Sequence, residues 1–192
     1  MDVVEFASDQ ERAAAALLRQ VVQNHATTHG LSFNAVLNAA ITVLRDCCVG
    51  VVRDMYGGSL RMDSDRVLID GPAALIAHKT RWLKRHLRTR HAQPSFPPGV
   101  LQVLEPDPSP TAETMALAQA LRTLVNDACE GYSVERGGAS RMLLSLVADV
   151  LAVLMHEYDQ DLEEVDALID STLHDALLRS VIEVLTRPAD EA

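Results

Sequence analysis

Aromatic residues make up only 4% of this 192-residue chain, with three Phe, three Tyr and a single Trp. A core built on large rings is therefore excluded, and the interior must be aliphatic. Lysine is almost absent, with Lys79 and Lys84 the only two among 17 basic residues. Cysteine is scarce as well. Cys47, Cys48 and Cys129 are odd in number and two are adjacent, which gives neither a disulfide framework nor a Cys-x-x-Cys pair for zinc or redox work. They read as small buried hydrophobes on helices. The first residues are acidic and apolar by turns, with no basic region leading into an apolar run, so they do not read as a signal peptide. No window approaches 18 apolar residues free of charge, so no membrane partner is expected. The default setting is the cytoplasm. His-Glu-x-x-His, Glu-x-x-His and a Gly-Lys-Ser/Thr phosphate loop are all missing, and no cofactor is expected.

What is present is ordinary globular composition, 48% hydrophobic and 23% charged, long enough for one core. Abundant alanine and leucine favour helix. Ser8-Asp-Gln-Glu11 reads as a capping box, followed by Leu17, Leu18, Val21, Val22 and His25 at helical spacing up to Gly30. Ser32 caps a second helix with a wide apolar stripe from Phe33 to Met55, stopped by Gly57-Gly58. Asp70-Gly71-Pro72 reads as a turn opening a third helix over 72–90, and the prolines of 93–99 demand a loop. Ser109 and Pro110 mark another helix start, and Gly131 its end. Met142 to Tyr158 is the most apolar stretch, with one polar stripe of Arg141, Ser145, Asp149 and His156, which places it at the centre. A last helix covers about Leu162 to Leu185.

These elements predict a single all-α domain, a helical bundle of about five to six helices built from two helix hairpins. The first hairpin spans 1–56, a loop-rich crossover excursion with a basic helix spans 57–108, and the second hairpin with an acidic C-terminal helix spans 109–186. Residues 187–192 are expected to fray. Val67–Ile69 and Val100–Leu104 are candidates for a short two-stranded ribbon. A faint internal echo links the hairpins, since Leu18-Arg19 before Val21-Val22 matches Leu121-Arg122 before Leu124-Val125.

The net charge is −10 and the pI near 5.0, which disfavours nonspecific binding to nucleic acid. The charge is uneven. Residues 72–98 carry Lys79, Arg81, Lys84, Arg85, Arg88 and Arg90 and no acid, so +6 here leaves −16 elsewhere. Like charges at i,i+4 repel, so this face requires a counterweight. Lys79, Arg81, Trp82, Lys84, Arg85, His86 and Arg88 are the candidate partner- or anion-binding residues. Nucleic acid is one reading, with Trp82 and the histidines as stacking rings. The eight acids between Glu157 and Asp175 are the internal alternative. His25 and His29, at i,i+4, have the spacing of two metal ligands. The Ser145, Asp149, His156 stripe is too extended along one helix for a catalytic triad, and no catalytic residue is assigned. The leading expectation is a non-enzymatic binding or regulatory protein acting through protein–protein contacts. A homodimer is expected too, because the second helix and the 142–158 helix present much apolar surface. Nucleic-acid association through 79–90 is the second reading. A metal-dependent or small-molecule enzyme using His25, His29 and His156 is the third.

Overall fold

The computed structural model describes residues 8–55, 65–90, 96–101, 111–131, 136–157, 159 and 161–186. Helix α1 (Asp9–His29) begins where Ser8 Oγ accepts the Glu11 amide at 3.1 Å. It ends at Gly30, whose φ of +63° suits glycine. Ser32 Oγ accepts the Ala35 amide and caps α2 (Phe33–Met55). Then α3 (Asp65–Arg90), α4 (Ala112–Gly131) and α5 (Arg136–Glu157) follow. The last helix runs as α6 (Leu162–Leu168), a π-helical turn (Ile169–His174) and α7 (Asp175–Thr186). The all-α architecture matches the sequence.

Several boundaries differ from it. Val67–Ile69 is helical, because α3 starts two turns earlier than expected and runs through Pro72. A proline removes one intrahelical donor, yet near a helix start the remaining bonds outweigh that loss. Three β-prone residues are also too few to hold a ladder. The two-stranded ribbon therefore does not form. Val100 and Leu101 lie in a bend, and 102–104 fall outside the described residues. Helix α4 is capped by Thr111, whose Oγ1 accepts the Thr114 amide at 3.2 Å. The expected cap Ser109, Pro110, the Gly57-Gly58 stop and the 187–192 tail also lie outside the described residues. Gly137 and Gly138 belong to the first turn of α5.

The π-helical turn has a cause in the sequence. Val165, Ile169, Leu173, Leu177 and Val181 are all buried and each is four residues from the next. At 3.6 residues per turn such a row drifts by about 40° per step around the helix. One widened turn returns the later residues to the buried side.

The two hairpins interlock. Among the described residues, α1 packs on α4 and α5, α4 packs on α1 and α2, and α2 packs along α5, whereas α1 barely touches α2. Two ion pairs expose the underlying regularity. Arg19 of α1 meets Asp149 of α5 at 3.0 Å, and Arg122 of α4 meets Asp46 of α2 at 2.7 Å. A shift of 103 residues carries Arg19 onto Arg122 and Asp46 onto Asp149. The same shift superposes the starts of α1 and α4 and of α2 and α5, and also the two capping residues Ser8 and Thr111. It matches the buried positions Glu11, Ala14, Ala15, Leu18 and Val22 with Thr114, Leu117, Ala118, Leu121 and Val125. The halves are thus related as pseudo-equivalent units, with α2 and α5 at the centre.

The third helix of each half lies against the other half's central helix, α3 on α5 and α7 on α2. Helix α5 has nearly all its apolar surface covered inside the chain. By length and composition alone α2 and α5 could each cross a membrane, but only 44% of the apolar window of α2 is buried against 83% for α5. The α5 surface invoked for a homodimer is therefore already spent within the monomer.

The two equivalent ion pairs differ in burial, and this sets their energetic weight. Asp149 is fully buried, whereas the Asp46 and Arg122 side chains are each about one-third exposed. Arg19→Ala removes the cation facing a fully buried carboxylate and should cost about 3 kcal/mol or more. Arg122→Ala should cost about 1 kcal/mol or less. Urea denaturation of the two variants measures both, and equal losses would contradict the assignment.

Candidate functional site

The basic segment is largely consumed by the fold. Lys84 Nζ donates to Asp170 Oδ2 at 2.6 Å and Arg88 Nη2 to Asp166 Oδ2 at 2.8 Å. These pairs run in opposite order along the two elements, so α3 lies antiparallel to the start of the acidic C-terminal helix. His86 is buried, with Nε2 3.1 Å from Ser145 Oγ. Trp82 is half-buried and stacks on His86, ring centroids 4.7 Å apart. It forms a wall of the core and not an open platform for bases. Lys79 is buried as well, and its pKa is lowered first by desolvation and then by Arg141. Only Arg81 and Arg85 of the seven candidates stay exposed without an acidic partner among the described residues, beside the exposed His78. The His78 pKa is lowered by desolvation and by the cations Lys79, Arg81, Arg85 and Arg141.

The polar stripe of α5 is a seam between helices. Arg141 Nη2 and Nε donate to the Glu11 carboxylate at 2.6 and 3.1 Å, Ser145 meets His86, and Asp149 meets Arg19. The Arg19 Nε proton points off the line to the carboxylate, so that contact is an ion pair and not a linear hydrogen bond. Glu11 and Arg19 each find partners 130 positions on, so α1 and α5 run parallel with alternating charge.

A concavity of about 570 Å³ lies elsewhere, between α2 and α4 at the start of α5. Its floor is Val43, Cys47, Gly50, Val125, Cys129 and Ala139, and its rim carries Asp46, Arg53, Asp54, Arg122, Asn126 and Glu130. Asp46 is held by two arginines. Oδ1 accepts from Arg45 at 2.8 and 3.1 Å, and Oδ2 accepts from Arg122 at 2.7 and 3.1 Å. Burial, then Cys48, Cys129 and Asp46, push the Cys47 thiol up to about 12. The thiol thus stays protonated and serves as a soft wall, not a nucleophile.

The pseudo-equivalent groove between α5 and α1 is closed. The shift of 103 residues replaces Cys47 by Val150, Gly50 by Val153 and Cys129 by Ala26, all three fully buried. Helix α3 also lies along α5 more extensively than α7 lies along α2. Sequence reading missed this groove because each of its residues is unremarkable alone, and only the comparison of the halves makes Gly50 and Cys47 stand out. The Leu18-Arg19 and Leu121-Arg122 echo was the available signal.

His25 and His29 stack at the end of α1 with ring centroids 5.8 Å apart, beside a shallow depression of about 240 Å³ with Val21, Asn24 and Thr28. The parallel register puts His156 at the same end of the bundle. No group of three or more metal-ligating side chains gathers among the described residues.

The lowered Lys79 pKa has a consequence for stability. Folding disfavours its charged form at every pH below the lowered value. The penalty is relieved as pH rises through that value toward the ordinary 10.5. Lys79→Met should therefore raise Tm at neutral pH, by a margin that shrinks as the pH approaches 10.5. Calorimetry across that range checks the sign, and a Lys79→Met variant that is less stable at pH 7 would refute it.

Comparison with known protein families, with characterised proteins and with solved structures yields no match.

Proposed function

We propose that this chain is a non-enzymatic binding or regulatory protein whose partner-receiving surface is the α2/α4 groove. One observation carries the reading. Two grooves occupy equivalent places in the pseudo-symmetric fold, and side chains fill one while the other is left open by Gly50 and Cys47. Packing does not require the opening, since the equivalent site is closed with valines.

The groove has the make-up of a recognition surface, with an apolar and thiol floor inside a charged rim. Its volume falls within the range of about 300–1,000 Å³ that takes a small ligand or an anchoring side chain. Met55, exposed at the end of α2, extends the apolar surface beside Asp54. The large apolar side chains exposed among the described residues are Leu17, Met55 and Met115, which are scattered. That favours a different protein over a second copy of this chain. The nucleic-acid reading loses support because Lys79, Lys84, His86 and Arg88 are engaged internally.

A photo-crosslinking residue at Asn126, in the groove, should give an adduct of discrete mass in cells. The same residue at Gln23, its equivalent in the closed groove, should not. Gly50→Val, which installs the residue of the closed side, should suppress the Asn126 adduct while leaving the helical circular dichroism intact. Equal adducts from both positions, or an Asn126 adduct indifferent to Gly50→Val, would sink the proposal.

A further inference from the structure

We infer that His25 and His29 form a two-imidazole site for a late first-row divalent metal ion, independent of the α2/α4 groove. The two residues sit one turn apart on α1 with their rings already stacked, centroids 5.8 Å apart and planes 28° apart. Residues at i and i+4 lie on one face of a helix, so a single ion can draw on both imidazoles after a small rotation of each ring. Neither makes a hydrogen bond or ion pair among the described residues, so neither donor is already spent on structure.

The surroundings suit a cation. Both histidines lie in the last two turns of a 21-residue helix, where the partial negative charge of the helix end favours positive charge. The depression of about 240 Å³ beside them is lined by Asn24 and Thr28, whose oxygens are neutral and hard. His29 is exposed and His25 half-buried, so an ion has access from solvent. The pseudo-equivalent of His25 is Ala128, which is buried in the core. The bundle therefore accepts an alanine where α1 carries an imidazole, and packing does not account for the histidine.

Two protein donors leave most coordination positions to water or to an outside ligand. The site is thus an exchangeable one, unlike a closed structural zinc centre. Nitrogen ligands give the affinity order Cu²⁺ over Ni²⁺, with Zn²⁺ below Cu²⁺.

Calorimetric titration of the full chain with CuSO₄, NiCl₂ and ZnCl₂ tests the site. One Cu²⁺ per chain should bind in the micromolar range, with an electron paramagnetic resonance spectrum showing two nitrogen ligands. His25→Ala and His29→Ala should each weaken that event by about a hundredfold, because the second imidazole then no longer acts at high effective concentration. His78→Ala, a change at an exposed histidine elsewhere, should leave it unchanged. Loss of affinity in all three variants alike, retention in His25→Ala, or a one-nitrogen spectrum would each overturn the assignment. None of these outcomes depends on whether the α2/α4 groove binds a partner.

Discussion

The fold hangs on an arginine and an aspartate that meet across two different hairpins. Arg19 with Asp149, and Arg122 with Asp46, fix which helix of one half lies beside which helix of the other. Leu, Val and Ala side chains supply most of the burial, but their contacts are non-directional and tolerate slippage along a helix. The charged pair does not tolerate it. A shift of one turn between α1 and α5 would leave Glu11 and Asp149 in the core without arginine partners. Buried ionic groups are often weak stabilisers, and their best-attested use is to fix register. The reciprocal order along α1 and α5 is consistent with that use, because acid meets arginine and then arginine meets acid.

The chain's uneven charge is resolved by pairing of the same kind. The basic run on α3 and the acidic run after Glu157 look in the sequence like two surfaces in search of partners. In the fold they meet through Lys84 and Asp170 and through Arg88 and Asp166. Exposed pairs of this kind contribute little stability each, but they relieve the repulsion within α3. Among the described residues of that helix, Arg81 and Arg85 are the exposed cations without an acidic partner, and His78 lies beside them.

Much of the fold was legible from local signals. Ser8, Gly30, Ser32 and Gly131 marked helix ends by mechanisms that act within four residues, and the structure places those ends within a residue of them. The signals failed where a local rule met a tertiary one. Pro72 was read as a beginning, yet it is carried inside α3. The regular four-residue spacing from Val165 to Val181 was visible, but its conflict with 3.6 residues per turn was resolved only by the π-helical turn. The groove was illegible for a different reason. It is defined by a difference between two halves, Gly50 against Val153 and Cys47 against Val150, and that difference has meaning only once Arg19 and Arg122 are known to occupy equivalent places.

The two equivalent carboxylates differ in access, with Asp46 on the rim of the α2/α4 groove and Asp149 fully buried against Arg19 of α1. Carbodiimide footprinting of the folded protein, read by mass spectrometry, addresses that difference directly. Asp46 should be modified under native conditions, while Asp149 should stay protected until the chain unfolds globally. Modification of both at similar rates would mean that the second groove is open as well, and the contrast on which the binding surface was assigned would disappear.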